Sequence, residues 1–492
     1  MITEKPKKEK ISAKKVAVSS VLFVLFYLLL SIICNFKAIL NGTLIDMLLT
    51  DTQRFLYLEI GLALLGVIAY LYFWFENASI LIRTSRTVMV LCIILVSFAA
   101  DYVIADLIGG VYARPVALAA LLTLSLVGRK EAIFVNTFLC LTTFLSDTMT
   151  QAEMTNDIYA SIVVAFVTGM LAIFTAQNLR SRVKTLLLGL LLMVPAFVTS
   201  VLLSEITVDS LRISALFSAT AGIGSVVLFT LLLPFFETIF NVVTNYRLYE
   251  ITDHNAPLIK RLREEAPGTF NHSLVVSTLA EACATAIGVN PQLARAAAYY
   301  HDVGKLQHPE FFKENQTGAN PHDNLDPELS TNIIREHAKC GKSMIAEERL
   351  PEILGDVAQQ HHGTLPIRFF YGKAAKLTDG HLDIRKFCYY GPVPATKVAA
   401  IIMICDAAEA IYRTLADRSR EAVDSAVKKV IEERLDFDQF NECPITMAEL
   451  YVLRKTIVEN ISMVYHERVA YPKFKISQQM LEEHEQVGGE AQ

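Results

Sequence analysis

Tyr299-Tyr300-His301-Asp302-Val303-Gly304-Lys305 is the stretch that decides how this chain reads. An imidazole and a carboxylate stand side by side at the end of a helical pattern that begins after Asn290-Pro291, and Gly304-Lys305 follows them. Outward from this doublet the sequence adds His272 upstream, and His337, the doublet His361-His362 and Asp406 downstream. The chain has 11 histidines, and five of them belong to this set, each in or beside a stretch with helical signals. Pro267-Gly268 reads as a break, after which His272 opens an amphipathic segment with Leu274, Val275, Leu279 and Ala282 on one side. Asp326-Pro327-Glu328 is an N-cap signal for a helix running through His337. Pro351 opens another that carries His361-His362 and stops at Gly363. Ala395 to Leu415 is a long apolar helix with Asp406 near its middle, so the region from Ala266 onward is expected to be all helix.

The chemistry follows from the donor types. A carboxylate inside Ile401-Ile402-Met403-Ile404-Cys405-Asp406-Ala407-Ala408 is costly to bury unless it meets a cation or a hydrogen-bond donor, and a metal is the simplest such partner. Asp302 has two oxygens and can bridge a pair of ions while His301 binds terminally. Singly, each histidine reads as an ordinary helix residue. The order His, His-Asp, His, His-His, Asp on separate helices is a joint pattern, and its condition is convergence in space. Two ions about 3.5–4 Å apart can activate a bridging hydroxide, orient a phosphodiester for in-line attack and stabilise the leaving alkoxide. Phosphoester hydrolysis is therefore the expected reaction, with Asp302 at its centre. So many imidazoles favour two divalent transition-metal ions, manganese or iron, over magnesium, which prefers oxygen ligands. Lys305 is placed to hold a non-bridging phosphate oxygen, although a surface lysine fits its position equally well. His254, His308, His381, His466 and His484 fit no slot and read as surface residues.

Ahead of this region the chain is different. Of its 492 residues 53% are hydrophobic and 19% charged, and the mean hydropathy is +0.38, too apolar for an ordinary soluble protein of this size. The excess lies between Val16 and Val243, in apolar runs long enough to span a bilayer at about 20 residues each. Eight candidates read as 16–39, 56–75, 87–107, 112–128, 131–147, 158–177, 185–204 and 213–236, of which the fourth and fifth are short and fit a tight hairpin. Lys5, Lys7, Lys8, Lys10, Lys14 and Lys15 precede the first, and Arg83, Arg86, Arg129, Lys130, Arg180, Arg182 and Lys184 mark the connections after the second, fourth and sixth. The other connections carry Asp46, Asp51, Asp106, Asp147, Glu153, Asp157, Glu205 and Asp209, so the positive-inside rule puts both ends of the membrane region in the cytoplasm. The first run is too long for a signal-peptide core and reads as an uncleaved anchor in lipid. Asp101 sits within the third span, near its outer end, where a structural hydrogen bond is the default reading.

The expected organisation is a basic N-terminus at 1–15, a membrane region at 16–243, a polar helical connector at 244–265, a soluble domain at 266–476 and a polar tail at 477–492. A connector continuing the last span either transmits motion to the soluble domain or merely tethers it. The net charge of -5 argues against a nucleic-acid polymer as partner, while a small nucleotide remains acceptable and a homo-oligomer is left open. Eight cysteines without a CxxC pair indicate neither a zinc knuckle nor a disulfide scaffold.

The stretches Glu265-Ala266-Pro267-Gly268-Thr269-Phe270-Asn271-His272-Ser273, Tyr300-His301-Asp302-Val303-Gly304-Lys305, Glu314-Asn315-Gln316, Asn320-Pro321-His322-Asp323 and Gln360-His361-His362-Gly363-Thr364 together carry a resemblance. They closely resemble the HD-domain phosphodiesterases of the seven-transmembrane receptor type, the PgpH family. The resemblance covers essentially the whole soluble half, and the multi-span region ahead of it matches as well. It implies a bacterial inner-membrane enzyme with a cytoplasmic, all-helical HD-superfamily domain that hydrolyses the second messenger cyclic di-AMP to pApA at a binuclear iron or manganese centre. Carried over by motif, one metal is held by His272, His301, Asp302 and Asp406. The other takes Asp302, His337 and His361, with His362 a ligand or close beside it. Thr364 and the loop from Asn320 through His322 to Asp323 become candidate nucleotide contacts, and an ordinary loop role fits them as well.

Two departures qualify this. Family members carry a large extracellular domain between the first two spans, whereas here about 16 residues separate Ile39 from Leu56, which puts sensing by such a domain in doubt. After His361-His362 the chain reads Gly363-Thr364-Leu365-Pro366-Ile367-Arg368, without the Gly-Tyr-Pro extension of the relatives that cut cyclic di-GMP. A phosphohydrolase for another nucleotide and a nucleotide-binding receptor without turnover are the alternatives, and the intact donor set argues against the second.

Overall fold

A computed structural model describes residues 13–150, 156–176, 182–377 and 382–464. Among them every regular element is a helix, apart from one isolated antiparallel bridge between Pro366 and Cys388. The fold is thus all-α, a bundle of apolar helices followed by a helical domain. His381, His466, His484, most of the basic N-terminus and the polar tail lie outside the described residues.

Among the described residues six helices are long and apolar enough to cross a membrane: Ala13–Cys34, Thr52–Glu76, Thr84–Ile108, Asn156–Ala176, Val183–Leu203 and Val208–Phe240. Leucines and valines such as Leu25, Leu28, Leu64, Val67, Leu187 and Leu190 face outward from them, a surface that suits acyl chains and not water. The chain is a multi-pass membrane protein. The fourth and fifth expected segments differ from these six. The fourth opens with a 3-10 turn, Val111–Ala113, and continues as the nine-residue helix Leu118–Leu126, about 13.5 Å long at 1.5 Å per residue, with Leu118 to Thr123 all buried inside the bundle. The fifth, Arg129–Thr150, has 22 residues but buries Glu131, Asn136 and Asp147, which lowers its apolarity. Asp147 takes both terminal nitrogens of Arg114, at 2.6 and 2.7 Å, a bidentate pair that lets two charges stay inside the bundle. Asp101 lies buried in the field of the same pair.

The connector corrects one expectation. The last membrane helix does not continue, because Asn241 adopts a left-handed φ of 49° and ends it. Two short helices follow instead, Asn245–Ile251, with Thr244 Oγ1 accepting from the Arg247 amide, and Pro257–Glu265. The first stands between two cores. Tyr246 packs edge-on against Phe229 and its hydroxyl lies 2.9 Å from Thr185 Oγ1, on the membrane side. Leu248 and Ile251 are buried in the core of the soluble domain, and Tyr300 Oη donates to the Ile251 carbonyl at 2.6 Å.

In that domain Pro267 occupies the first helical turn, so the helix carrying His272 runs from Pro267 to Ala286 and includes the expected break. Asn290 caps Pro291–Tyr300 by accepting from the Gln292 and Leu293 amides. Asp326 does the same for Pro327–Glu347, which carries His337. Glu352–Gln360 ends just before His361-His362, and Thr396 caps Lys397–Thr414, the helix of Asp406. Ala294, Ala296, Ala297 and Ala298 are fully buried, and their small size lets the His301-Asp302 end of its helix sink into the core. All eight cysteines are free thiols.

Gly304 fixes where Asp302 sits. The 3-10 turn Val303–Gln307 presses so closely on the His337 helix that a Cβ at Gly304 would lie 1.9 Å from the His337 carbonyl oxygen and 2.5 Å from the Gly341 nitrogen. Both obstacles are backbone, so Gly304→Ala must separate the two elements. The expected loss is about 1–3 kcal/mol of stability, read as a lower thermal midpoint of the detergent-solubilised chain, together with weaker metal binding. An unchanged midpoint would show that this approach does not constrain the fold.

Candidate metal centre

Three helices and the turns that end two others bring their donors to a single point. Asp302 directs Oδ2 toward one pair of imidazoles, 3.3 Å from His301 Nε2 and 3.8 Å from His272 Nε2. It directs Oδ1 toward another, 3.3 Å from His337 Nε2 and 3.6 Å from His361 Nε2. Asp406 closes the first group, with Oδ1 3.0 Å from His272 Nε2 and 3.9 Å from His301 Nε2. Its other oxygen stands 3.8 Å from His362 Nδ1. All seven expected donors therefore lie in one cluster, and they divide into His272, His301 and Asp406 on one side of Asp302 and His337, His361 and His362 on the other.

Hydrogen bonds on the far ring nitrogens fix how the imidazoles present themselves. His301, His337 and His361 each hold a backbone carbonyl three residues earlier with Nδ1, at 2.7, 2.5 and 2.7 Å. A carbonyl only accepts, so Nδ1 carries the proton and Nε2 offers a lone pair to the centre. His272 is fixed in the same sense by Glu409 Oε2, 2.7 Å from its Nδ1. His337 Nε2 and His361 Nε2 consequently face each other as two lone pairs at 3.3 Å. His301 Nε2 and Asp302 Oδ1 are buried without any hydrogen-bond partner. Acceptors that converge on one another in a dry interior are costly unless a cation lies between them. This donor set fits divalent metal ions.

The electrostatics agree. Burial pushes the His301 imidazole down to about 4 and lowers those of His337 and His362, which keeps them neutral and able to ligate. Burial opposes ionisation of Asp302 and Asp406, yet Lys305 and His301 hold the first well below the usual carboxylate range, and His272 does so for the second. Burial also works against a proton on His272, but Asp406 and Glu409 together push it up to about 10. A proton then takes the place that a metal ion would fill.

Comparison with known proteins assigns both halves. The family described as HD domain matches residues 269–411, and the one described as 7TM receptor with intracellular HD hydrolase matches residues 54–244. The chain is 35% identical over 409 residues to the cyclic-di-AMP phosphodiesterase PgpH of Bacillus subtilis (strain 168), covering 81% of this chain and 56% of that one. It is 35% identical over 367 residues to the protein of the same description from Listeria monocytogenes serotype 1/2a (strain 10403S), covering 73% and 50%. It thus spans about half the length of these curated relatives. The crystal structure of the L. monocytogenes phosphodiesterase PgpH HD domain in complex with cyclic-di-AMP is 41% identical, covering 44% of this chain and 100% of that one, with a TM-score of 0.42. The chain belongs to the 7TM receptors with intracellular HD hydrolase.

Around these donors, Lys305 is not a free surface lysine. Its ammonium lies 2.8 Å from Asp302 Oδ2 and 2.7 Å from Glu314 Oε1, above the Phe312 ring, and these two carboxylates keep it charged against the effect of burial. Thr364 is exposed, and both its amide and its hydroxyl are engaged by Gln439, at 2.9 Å each. Gly363, at a φ of 53°, leaves the space that Gln439 fills. Asn320 Oδ1 accepts from the His322 amide and from Gln316, capping the turn Pro321–Asn324. His322 is buried within that loop, donating to the Phe311 carbonyl and packed against Phe311 and Phe370; it joins neither donor group. His254 and His308 are exposed.

Glu409 was missed by sequence reasoning, although it carries the same signal as Asp406, an acid in an apolar helix, one turn further along. Carboxylates that orient a ligating histidine typically contribute 10- to 100-fold in metal affinity. Glu409→Gln is therefore expected to weaken manganese binding to the His272 group by about that factor in a calorimetric titration. Equal affinity in variant and wild type would remove Glu409 from the centre.

Proposed function

We propose that this chain is a membrane-anchored, metal-dependent phosphodiesterase that hydrolyses cyclic di-AMP to linear pApA on the cytoplasmic side of a bacterial inner membrane. The observation that carries the proposal is the Asp302 carboxylate, with one oxygen toward each of two imidazole pairs. Under this reading His272, His301, Asp302 and Asp406 hold one manganese or iron ion, and Asp302, His337, His361 and His362 hold a second. When bound, such a pair supplies Lewis-acid activation of water and of the phosphoryl group.

The chain's own residues do the rest. Asp302 sets the spacing of the two halves, because a single carboxylate fixes the distance between whatever its two oxygens bind. The carbonyl-anchored histidines hold their Nε2 atoms in place without rearrangement, which is the preorganisation that a charged transition state needs. Lys305 brings a cation beside Asp302, and the ammonium proton not used by Asp302 and Glu314 serves a phosphoryl oxygen. Substrate choice rests on the PgpH relatives, whose names specify cyclic di-AMP, and on Gly363-Thr364-Leu365-Pro366 standing where a Gly-Tyr-Pro extension would favour cyclic di-GMP. The cytoplasmic orientation rests on the basic residues at Lys14, Lys15, Arg83, Arg86, Arg129 and Lys130, with an even number of crossings returning the chain to the side on which it starts.

The test is turnover by the full chain in detergent with added manganese. Cyclic di-AMP is expected to be consumed with pApA appearing, and cyclic di-GMP to react at least about tenfold more slowly, the range that a few unmatched base contacts produce. Asp302→Ala is expected to lose more than about 100-fold in kcat, beyond the usual loss for residues that only orient a ligand. No turnover of either dinucleotide, or equal activity in the variant, would refute the proposal.

A further inference from the structure

Tyr389 stands at the mouth of the centre with an uncommitted hydroxyl. Its amide donates to the Leu365 carbonyl at 3.1 Å, and the neighbouring bridge between Pro366 and Cys388 pins this stretch alongside the His361-His362-Gly363 turn. The ring is stacked on His362, with centroids 4.3 Å apart and planes inclined by 25°, and meets His337 edge-on at 6.2 Å. Its phenol thus belongs beside the donor group of His337, His361 and His362.

Tyrosines packed in a fold usually find a protein partner for their hydroxyl, and Tyr389 is half-buried beside His362. Tyr299 and Tyr300 of this domain find one, through His254 and Arg295 and through the Ile251 carbonyl. For Tyr389 Oη no hydrogen bond is found among the described residues. A phenol ordinarily ionises only near pH 10, so at neutral pH it is a protonated donor and not a base. A neutral O–H on a ring stacked against this donor group, with no acceptor from the protein, is free to serve a bound molecule. A phosphodiester is such an acceptor, an anion whose non-bridging oxygens donate nothing.

We infer that Tyr389 is a substrate-contacting residue of this centre, its hydroxyl donating a hydrogen bond to a non-bridging oxygen of the bound phosphodiester while its ring lies against His362. The inference rests on the phosphodiesterase reading above. It assigns a contact to the stretch between the His361-His362 turn and the Asp406 helix. Together with Lys305, the hydroxyl gives the phosphoryl group two donors from the chain itself.

Tyr389→Phe separates this role from packing, because it keeps the ring and removes only the hydroxyl. In the manganese-loaded full chain the variant is expected to retain the wild-type metal content. Its kcat/KM should fall about 10²-fold for cyclic di-AMP and for bis(p-nitrophenyl) phosphate, mostly in kcat, as for a donor aimed at developing charge. Inorganic phosphate, titrated calorimetrically, should bind about tenfold more weakly, the loss of one hydrogen bond to a charged group. Unchanged kinetics and phosphate affinity would overturn the inference. So would a loss of bound metal, which would mean that Tyr389 acts by supporting His362. If the wild type turns over neither ester, the proposed function fails and the phosphate titration alone decides for or against Tyr389.

Discussion

A carboxylate that is 1% exposed, in the company of four imidazoles, is the constraint on which the soluble domain depends. Burying Asp302 without a cation would be prohibitive, and every nearby feature bears on that cost. The run of buried alanines in the preceding helix lets the His301-Asp302 end reach the core. Gly304 lets the following turn lie against the helix of His337. Lys305, itself held by Glu314, supplies one positive charge directly to Asp302. Three backbone carbonyls and Glu409 turn the imidazole protons outward, so that the lone pairs face inward. These arrangements make a site whose interior is complete only with a cation.

The membrane region solves a related problem with different means. Arg114 and Asp147 neutralise each other through a bidentate contact inside the bundle, and the short helix Leu118–Leu126, just after Arg114, is packed inside as well. The two regions meet at Asn245–Ile251. Tyr246 reaches the membrane helices, and the carbonyl of Ile251 receives the hydroxyl of Tyr300, the residue before His301. A displacement of that short helix thus has a direct route to the metal donors, through one hydrogen bond and one peptide unit.

Much of this was legible in the sequence because metal ligation restricts residue type so severely. His272, His301, Asp302, His337, His361, His362 and Asp406 were legible as a joint pattern and not singly, and the signals at Asn290-Pro291 and Asp326-Pro327 marked two of the helices that position them. The connector was misread because a single Asn241 in a left-handed conformation breaks a pattern that composition alone continues. The fourth membrane segment was legible as short, but not that it would pack inside the bundle, since burial in protein and burial in lipid select the same side chains; the fifth, expected to be short, is a 22-residue helix. Tyr389 escaped notice because its place depends on a bridge between residues 22 positions apart, Pro366 and Cys388, in a stretch with no periodic pattern. Glu409 did not escape for want of signal; its spacing from Asp406 puts both acids on one helical face.

The proposed function requires that two metal ions be held on either side of Asp302. Crystals of the manganese-loaded protein, measured on both sides of the manganese absorption edge, test it directly. Two anomalous peaks about 3.5–4 Å apart, one among His272, His301 and Asp406 and the other among His337, His361 and His362, with Asp302 between them, are the predicted result. A single peak, or none within reach of Asp302, would contradict it.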